Sequence, residues 1–207
     1  MKIGILGAGV MSDALGTRWA DAGHELMVAG RTPAKARTLA ERWDVSTGTF
    51  REVAEFGDVI LLAVRYQGVD HTLGEVGDAL DGKVVVDCTN AVEVEHFTLV
   101  TEPGQSMAQH IAQATGAHVV KAFNLCHADV WRRDPPLFDG RRLTVPYCTD
   151  HTAAGDLTAR LIDDVGCLPL RVGDLRHAHH LEAMAAIVIS LLFGGHDPQT
   201  VFNLVDA

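Results

Sequence analysis

The chain opens on KIGILGAGVMSDALG, residues 2–16, and this stretch decides the fold. The apolar residues 3–6 predict a short buried strand, and the run after the glycines has the composition of a helix. Between them, Gly7 permits a tight turn and Gly9 lets the backbone approach a ligand closely. Because the free N–H groups at the start of a helix attract anions, the stretch predicts a turn that binds a pyrophosphate. Ser12 replaces the third glycine of the usual pattern and is also small.

Short apolar runs alternate with amphipathic stretches along the rest of the chain, which predicts strands and helices in alternation. We therefore expect an α/β fold with a Rossmann-type, doubly wound, mostly parallel sheet and a short C-terminal helical extension. A single domain is expected over residues 1–207, with the dinucleotide-binding core in 1–142 and C-terminal strands and helices in 143–207. The predicted strands are 3–6, 26–29, 59–64, 84–87, 119–122, 143–147 and 168–172, and the predicted helices are 11–21, 33–43, 69–80, 106–113, 153–164 and about 174–193.

The composition is that of a globular protein with an excess of acid. The 207 residues are 47% hydrophobic and 21% charged, and the net charge of −10 argues against binding to nucleic acid or to an anionic membrane. Residues 1–48 hold six basic and five acidic residues, so a small anion is best received there. No apolar run reaches the roughly 20 residues of a membrane span. The four separated cysteines are expected to be reduced thiols of a cytoplasmic chain, without a metal site.

The stretch GRTPAK, residues 30–35, favours NADP(H) over NAD(H). An NAD site expects an acidic residue here for the ribose 2′-hydroxyl, and this stretch has none. Arg31 instead offers a planar guanidinium to a 2′-phosphate. Thr32 and the proline after it predict a helix start with Thr32 as the N-cap, where the positive charge of Lys35 is unfavourable unless an anion binds. We therefore expect Arg31, Thr32 and Lys35 to hold the 2′-phosphate.

With these residues, the chain resembles the family of NADP-dependent F-420 oxidoreductases, and the resemblance covers nearly the whole chain. Beyond residues 1–31 it rests on VVVDCTN at 84–90, SMAQH at 106–110, VVKAFN at 119–124 and LEAMA at 181–185. It implies hydride transfer between NADPH and coenzyme F-420 (F420, 8-hydroxy-5-deazaflavin). The chain departs from the family pattern at Ser12, at Arg65-Tyr66 and at residues 125–127, and the last two departures lie on the side of the second substrate.

The resemblance also implies where the cofactor lies. Pyrophosphate contacts are implied for four residues that follow Gly7, namely Ala8, Gly9, Val10 and Met11. Contacts with the 2′-phosphate are implied for Gly30, Arg31 and Lys35. The resemblance implies that three residues at the end of a central strand flank the cofactor, namely Ala63, Val64 and Arg65. The nicotinamide and the crevice for the second substrate are implied to lie against Asn90, Ala122, Phe123, Asn124 and Ala128.

Three functions remain open from the sequence. Hydride transfer between NADPH and F420 requires little acid or base catalysis, because both molecules carry their own chemistry. Reduction of a small carbonyl or imine would require a proton donor, for which His127 and then Tyr66 are the candidates. A non-catalytic NADP(H)-binding sensor would use the same fold without turnover.

Two further clusters have an expected place. Four arginines of the loop after residue 131 are candidates to receive the acidic tail of F420, namely Arg132, Arg133, Arg141 and Arg142. His177, His179 and His180, with Glu182 after them, are expected at the surface or in a helix cap rather than at a zinc site, because no H-E-x-x-H motif is present. The apolar helix that follows is expected to form core or a homodimer interface.

Overall fold

A computed structural model of the chain describes residues 1–196, which form twelve strands and eight helices. The strands are β1 (Lys2–Leu6), β2 (Glu25–Ala29), β3 (Ser46–Thr47), β4 (Val59–Leu62), β5 (Val84–Asp87), β6 (Val92–Glu93), β7 (Thr98–Leu99), β8 (His118–Lys121), β9 (Leu137–Phe138), β10 (Arg141–Arg142), β11 (Thr144–Cys148) and β12 (Leu168–Gly173). The helices are α1 (Val10–Asp21), α2 (Pro33–Trp43), α3 (Phe50–Phe56), α4 (Val69–Val76), α5 (Met107–Thr115), α6 (Ala128–Trp131), α7 (Thr152–Asp164) and α8 (Ala178–Phe193).

Eight of these strands form one central sheet in the order β12-β11-β8-β5-β4-β1-β2-β3. Within this order, six adjacent strands run parallel, namely β8, β5, β4, β1, β2 and β3. The chain places β2 and β3 on one side of β1 and then returns to place β4, β5 and β8 on the other side. In such a sheet, ligands bind beyond the carboxyl ends of the strands at the point of reversal. The predicted Rossmann-type, mostly parallel α/β fold is confirmed.

The sheet has a buried core on each face. One core cluster packs α1, α2 and α7 against the sheet through Leu15, Trp43 and Leu161. The other packs α3, α4 and α5 through Val53, Leu73 and Ile111. Because both faces are covered, the central strands are apolar throughout, and all four residues of β4 are buried.

The sequence analysis missed or misplaced several elements. It assigned no structure to α3, although Thr49 and Glu52 form a capping box at its start. The predicted strand 59–64 ends at Leu62 because the chain turns there toward the cleft, and the last predicted helix begins at Ala178, after a single 3-10 turn.

The C-terminal part of the described chain completes the sheet. Strand β11 pairs antiparallel with β8, and β12 then pairs parallel with β11 at the edge. The single domain over 1–207 stays a prediction, and its residues 197–207 lie outside the described part. Within residues 1–196, no helix has both the length and the apolar character that crossing a membrane requires.

Candidate functional site

The glycine turn between β1 and α1 has two glycines with different roles. Gly7 has a φ of +119°, and a Cβ on it would lie 2.4 Å from the carbonyl oxygen of Ala63, so only glycine fits. Gly9 is the N-cap of α1, and a Cβ there would meet no atom within 4 Å. The packing of the described chain therefore does not require glycine at position 9. An open face at the start of a helix is what a closely approaching pyrophosphate needs.

A cleft of about 380 Å³ lies beside this turn, at the carboxyl ends of β1, β2 and β4. It brings together most of the residues predicted to hold the phosphate-bearing half of the cofactor. These are Gly7, Ala8, Gly9, Gly30, Arg31, Thr32, Lys35, Ala63, Val64 and Arg65. The sequence analysis did not identify five other residues of the lining, namely Phe50, Gln67, Gly68, His71 and Thr72.

The cleft is basic in a protein with a net negative charge. Arg31, Lys35 and Arg65 line it and are exposed, and within residues 1–196 none of them forms an ion pair. No carboxylate stands among its described lining residues. Although the chain has a net charge of −10, the lining of this cleft is positively charged and therefore suits a polyanion.

The start of α2 leaves a further place for an anion. Thr32 is the N-cap, as predicted, but its side chain makes no capping hydrogen bond. The first turn of α2 holds no acidic residue to offset the helix dipole. Within residues 1–196, no side chain caps the first N–H groups of α2. Arg31 and Lys35 lie at this same end of the helix.

A second cavity of about 560 Å³ lies on the other side of the start of α1. Val10 and Met11 form one wall, and α8 forms another through Ala185, Val188, Ile189, Leu192 and Phe193. The remaining lining comes from the carboxyl ends of β5 and β8 and includes Cys88, Asn90, Phe123, Asn124, Leu125, Cys126, His127 and Ala128. The walls are mostly apolar, with Asn90, Asn124 and His127 as the polar exceptions.

Two predicted residues do not join these cavities. Ala122 is fully buried in the core cluster and lines neither cavity. Tyr66 begins a short 3-10 helix after β4 and is also absent from both linings. Of the two candidate proton donors, the structure therefore places only His127 at a cavity. Its side chain is 65% exposed, and its Nδ1 accepts a hydrogen bond from the backbone N–H of Asp129.

Phe123 holds the turn after β8 in an unusual backbone conformation. Its φ is 61°, a backbone angle that residues other than glycine adopt infrequently. Its ring is packed edge-on between Trp19 and Trp131, with ring centroids 6.0 and 5.3 Å away. This packing fixes the turn that presents Asn124 to the second cavity, and strained backbone of this kind gathers at functional sites.

Asn90 and Asn124 bind each other across the floor of the second cavity. The Asn90 amide donates to the backbone carbonyl of Asn124 at 2.8 Å, and the Asn124 amide donates to Asn90 Oδ1 at 2.9 Å. The Asn124 amide also donates to the carbonyl of Leu181 at 3.0 Å. Because a backbone carbonyl only accepts, these bonds fix the orientation of both side-chain amides.

Beneath this floor lies a buried charged cluster that the sequence analysis did not predict. Lys121, Asp87 and Glu182 are all fully buried, and Lys121 Nζ lies 2.9 Å from Asp87 Oδ2 and 2.8 Å from Glu182 Oε1. Burial lowers the pKa of Lys121, but the two carboxylates outweigh it and the pKa is raised overall. Glu182 is therefore not the surface residue that its place after the histidines predicted. In the sequence, a charged residue ends each of the apolar strands 84–87 and 119–121, and this pattern could have indicated a buried ion pair.

The thiols beside the second cavity are neutral. Burial raises the pKa of Cys88 to about 12 and that of Cys126 to about 11. A thiol is a weak nucleophile until it ionises, so these two side chains act as apolar lining. All four cysteines are free, as the sequence predicted.

The arginines after α6 do not form one open patch. Arg132 pairs with Asp13 and Asp129, and Arg142 pairs with Asp163. Arg133 instead stacks over the ring of Phe138, 4.8 Å from its centroid. Two of the four arginines are thus already paired with carboxylates of the same chain.

Two polar clusters show local roles. In the turn that precedes α8, His177 contacts the Asp174 carboxylate. His179, in the first turn of α8, contacts the carbonyl of Arg176. On the β6–β7 hairpin, Glu93, Glu95 and His96 bring ligand-type atoms within 4.8 Å of one another. The Glu93 carboxylate already accepts from two backbone N–H groups there.

Comparison with known proteins agrees with this geometry. Residues 2–91 match the family model described as NADP oxidoreductase, coenzyme F420-dependent. The chain is 30% identical to the F420-dependent NADP reductase of Methanothermobacter marburgensis, over 92% of each chain. It is also 30% identical to rat metalloreductase STEAP3, over 88% of this chain but only 36% of that relative.

Solved structures share the whole fold. A crystal structure described as a candidate F420-dependent NADP reductase from Arthrobacter sp. FB24 superposes with a TM-score of 0.85 and 25% identity, over 95% of this chain and 96% of that one. An imine reductase from Myxococcus stipitatus in complex with NADP+ shares the fold, with a TM-score of 0.67 and 20% identity over 98% of this chain and 63% of that one. The chain therefore belongs to the coenzyme F420-dependent NADP oxidoreductase family, and so to the NADP-dependent oxidoreductases.

Proposed function

We propose that the chain binds NADP(H) from the basic cleft across the glycine turn and transfers a hydride between it and F420 in the second cavity. The observation that carries this proposal is the position of the two cavities. Gly7, Ala8 and Gly9 line the basic cleft, whereas Val10 and Met11, the next residues, line the second cavity. An extended dinucleotide lying over the start of α1 would thus reach both.

The residues of the basic cleft fit the phosphate-bearing half of NADP(H). Within residues 1–196, Arg31 and Lys35 form no ion pair, and they lie beside the first N–H groups of α2, where a 2′-phosphate would be held. The open backbone at Gly9 would receive the pyrophosphate. Arg65 stands on the facing wall and adds a third positive charge.

The residues of the second cavity fit flat, largely apolar rings. Its volume of about 560 Å³ falls within the range of about 300–1,000 Å³ that is common for small-molecule sites. NADP(H) and F420 supply the hydride chemistry themselves when bound. The task of this chain is to orient the two rings and exclude water, which α8 and the turn at Phe123 serve by their apolar walls.

The experiment mixes the chain with NADPH and oxidised F420 and follows the loss of both absorbance bands. We expect turnover in the unchanged chain. Val188→Trp, which fills the second cavity, is expected to abolish turnover while NADPH binding is retained. Met184→Trp is the matched control, because Met184 lies on the same helix but is exposed and lines neither cavity. NADPH binding without any loss of the F420 band would contradict the proposal.

A second candidate is the reduction of a small carbonyl or imine, and the position of His127 favours it. His127 lines the second cavity, and its exposed ring is free to exchange a proton with solvent. In that case a panel of carbonyls and imines would oxidise NADPH, and His127→Gln would lower kcat, whereas hydride transfer to F420 would not depend on His127. Binding of NADPH with no turnover in any assay would instead favour the sensor. The cytoplasmic location and the homodimer stay predictions.

A further inference from the structure

A buried carboxylate of α8 helps to join the wall of the second cavity to the sheet. Glu182 lies in the second turn of α8 and is fully buried. Its Oε1 lies 2.8 Å from Nζ of Lys121, the last residue of β8. Lys121 also donates to the backbone carbonyl of Thr89, just after β5. The ion pair thus ties α8 to the carboxyl ends of the two strands that form the cavity floor.

The same carboxylate also binds the start of α5. Glu182 accepts the backbone N–H of Met107 at 3.0 Å and that of Ala108 at 3.4 Å. Ser106 and Gln109 form a capping box that satisfies the other N–H groups at this helix end. Every donor of the first turn is therefore engaged, two of them by a residue from a different helix.

The charges of this cluster hold the Glu182 carboxylate in one position. Asp87 and Lys121 form a neutral pair, so Glu182 adds one negative charge in a place without solvent. The positive end of the α5 dipole and its two N–H groups offset that charge. Because an uncompensated buried charge is strongly destabilising, displacement of Glu182 away from these partners is resisted.

The cavity wall lies on the same face of α8 as Glu182. Ala185, Ile189 and Phe193 follow it by about one, two and three helical turns, and all three line the second cavity. At the far end, the ring of Phe193 packs against Phe97 of the β6–β7 hairpin, with centroids 5.6 Å apart. Together with the hydrogen bond from Asn124 to the carbonyl of Leu181, these two attachments hold the wall in place relative to Val10 and Met11.

We infer that Glu182 is a positioning residue for the hydride acceptor: by binding Lys121 and the start of α5, it fixes the α8 wall of the second cavity and leaves the NADP(H) cleft unaffected. The inference rests on the proposed function for the identity of the acceptor. It assigns to Glu182 no contact with either substrate. Removal of Glu182 leaves the Asp87–Lys121 pair neutral, so the fold is expected to survive the substitution.

The test compares Glu182→Gln with the unchanged chain in three measurements. We expect kcat/KM for oxidised F420 to fall about ten- to hundredfold, because misplacing a wall by about 1 Å has effects of that size. The Kd for NADPH, from fluorescence titration, is expected to stay unchanged. Amide hydrogen exchange is expected to accelerate in residues 183–193 and at the start of α5, and to stay unchanged in α1 and α2. Glu182→Asp keeps the charge but is shorter, so it should produce the same selective loss.

Ile162→Ala controls for general destabilisation, because Ile162 is fully buried on α7 and lies outside the cavity lining. An equal loss of F420 turnover in Ile162→Ala, or an equal rise of the NADPH Kd in Glu182→Gln, would overturn the inference. If the unchanged chain transfers no hydride to F420, the proposed function fails. The exchange comparison then decides the positioning role by itself, and unchanged exchange in residues 183–193 refutes it.

Discussion

At the residue scale, the fold does not require glycine at position 9, whereas the proposed ligand does. We expect Gly9→Ala to fold normally, since its Cβ would meet no atom within 4 Å. Its Cβ would instead stand where the pyrophosphate approaches, so the NADPH Kd should rise about tenfold, equivalent to about 1.4 kcal/mol. Fluorescence titration measures this. Gly74→Ala is the matched control, because Gly74 is equally open but lies on α4 outside the cleft. Equal affinity of the Gly9→Ala variant and the unchanged chain would refute the pyrophosphate assignment.

Arg31 is the residue that we expect to select NADP(H) over NAD(H). Arg31→Asp removes a charge-assisted contact of about 1.5–3 kcal/mol with the 2′-phosphate, so NADPH affinity should fall about ten- to hundredfold. NADH lacks that phosphate and should bind as before or more tightly. The preference is measured by titrating both cofactors. Arg37→Asp makes the same charge change on α2 outside the cleft and should leave the preference unchanged.

The sequence predicted the residues of the cofactor side better than those of the acceptor side. Gly7, Gly9 and Arg31 stand at fixed distances from a strand end, and local chain geometry alone brings them to one cleft. Lys121 and Glu182 are 61 positions apart and meet only through the packing of α8 on the sheet. The end of an apolar strand marks Lys121 as unusual, but no local pattern identifies Glu182 as its partner, because a glutamate near the start of a helix is typical of an exposed position.

At the element scale, the short helix α3 depends on its N-cap residue, Thr49. Thr49 and Glu52 close a capping box on a helix of seven residues that packs against β1. We expect Thr49→Ala to destabilise the chain by about 1 kcal/mol. Thermal unfolding should show a Tm lower by about 2–4 °C for a chain of this size. Thr38→Ala is the control, because Thr38 is exposed within α2 and caps no helix. A Tm unchanged by Thr49→Ala would mean that packing alone holds α3.

Helices and strands differ in what their sequence reveals. The prediction of α2 at 33–43 agrees with the structure at both ends, because a proline starts the helix and Asp44 adopts a left-handed conformation at its end. The direction of β11 was not predictable, since an apolar run reads the same for either orientation. Only its pairing of Cys148 with Lys121 reveals that it runs antiparallel to β8.

At the scale of the whole molecule, the burial of four thiols makes stability depend on alkaline pH. Burial raises the pKa of Cys88 and Cys148 to about 12, and that of Cys126 and Cys167 to about 11, from an ordinary value of 9.0. As the pH rises past 9.0, the unfolded chain therefore loses these protons before the folded chain does. The stability that neutral thiols provide is complete below that pH and is lost progressively above it.

We therefore expect the free energy of unfolding to fall steadily from pH 9.0 to about pH 11, where the first thiols of the folded chain ionise. Urea denaturation at several pH values measures this fall. The variant carrying both Cys88→Ala and Cys148→Ala should show a shallower decline, since two of the four thiols no longer ionise on unfolding. Part of the decline should remain in it, because Cys126 and Cys167 still ionise on unfolding. The raised pKa of Lys121 acts in the same direction at still higher pH. A stability that stays constant over this range, or a decline equally steep in the double variant, would show that the buried thiols do not govern it.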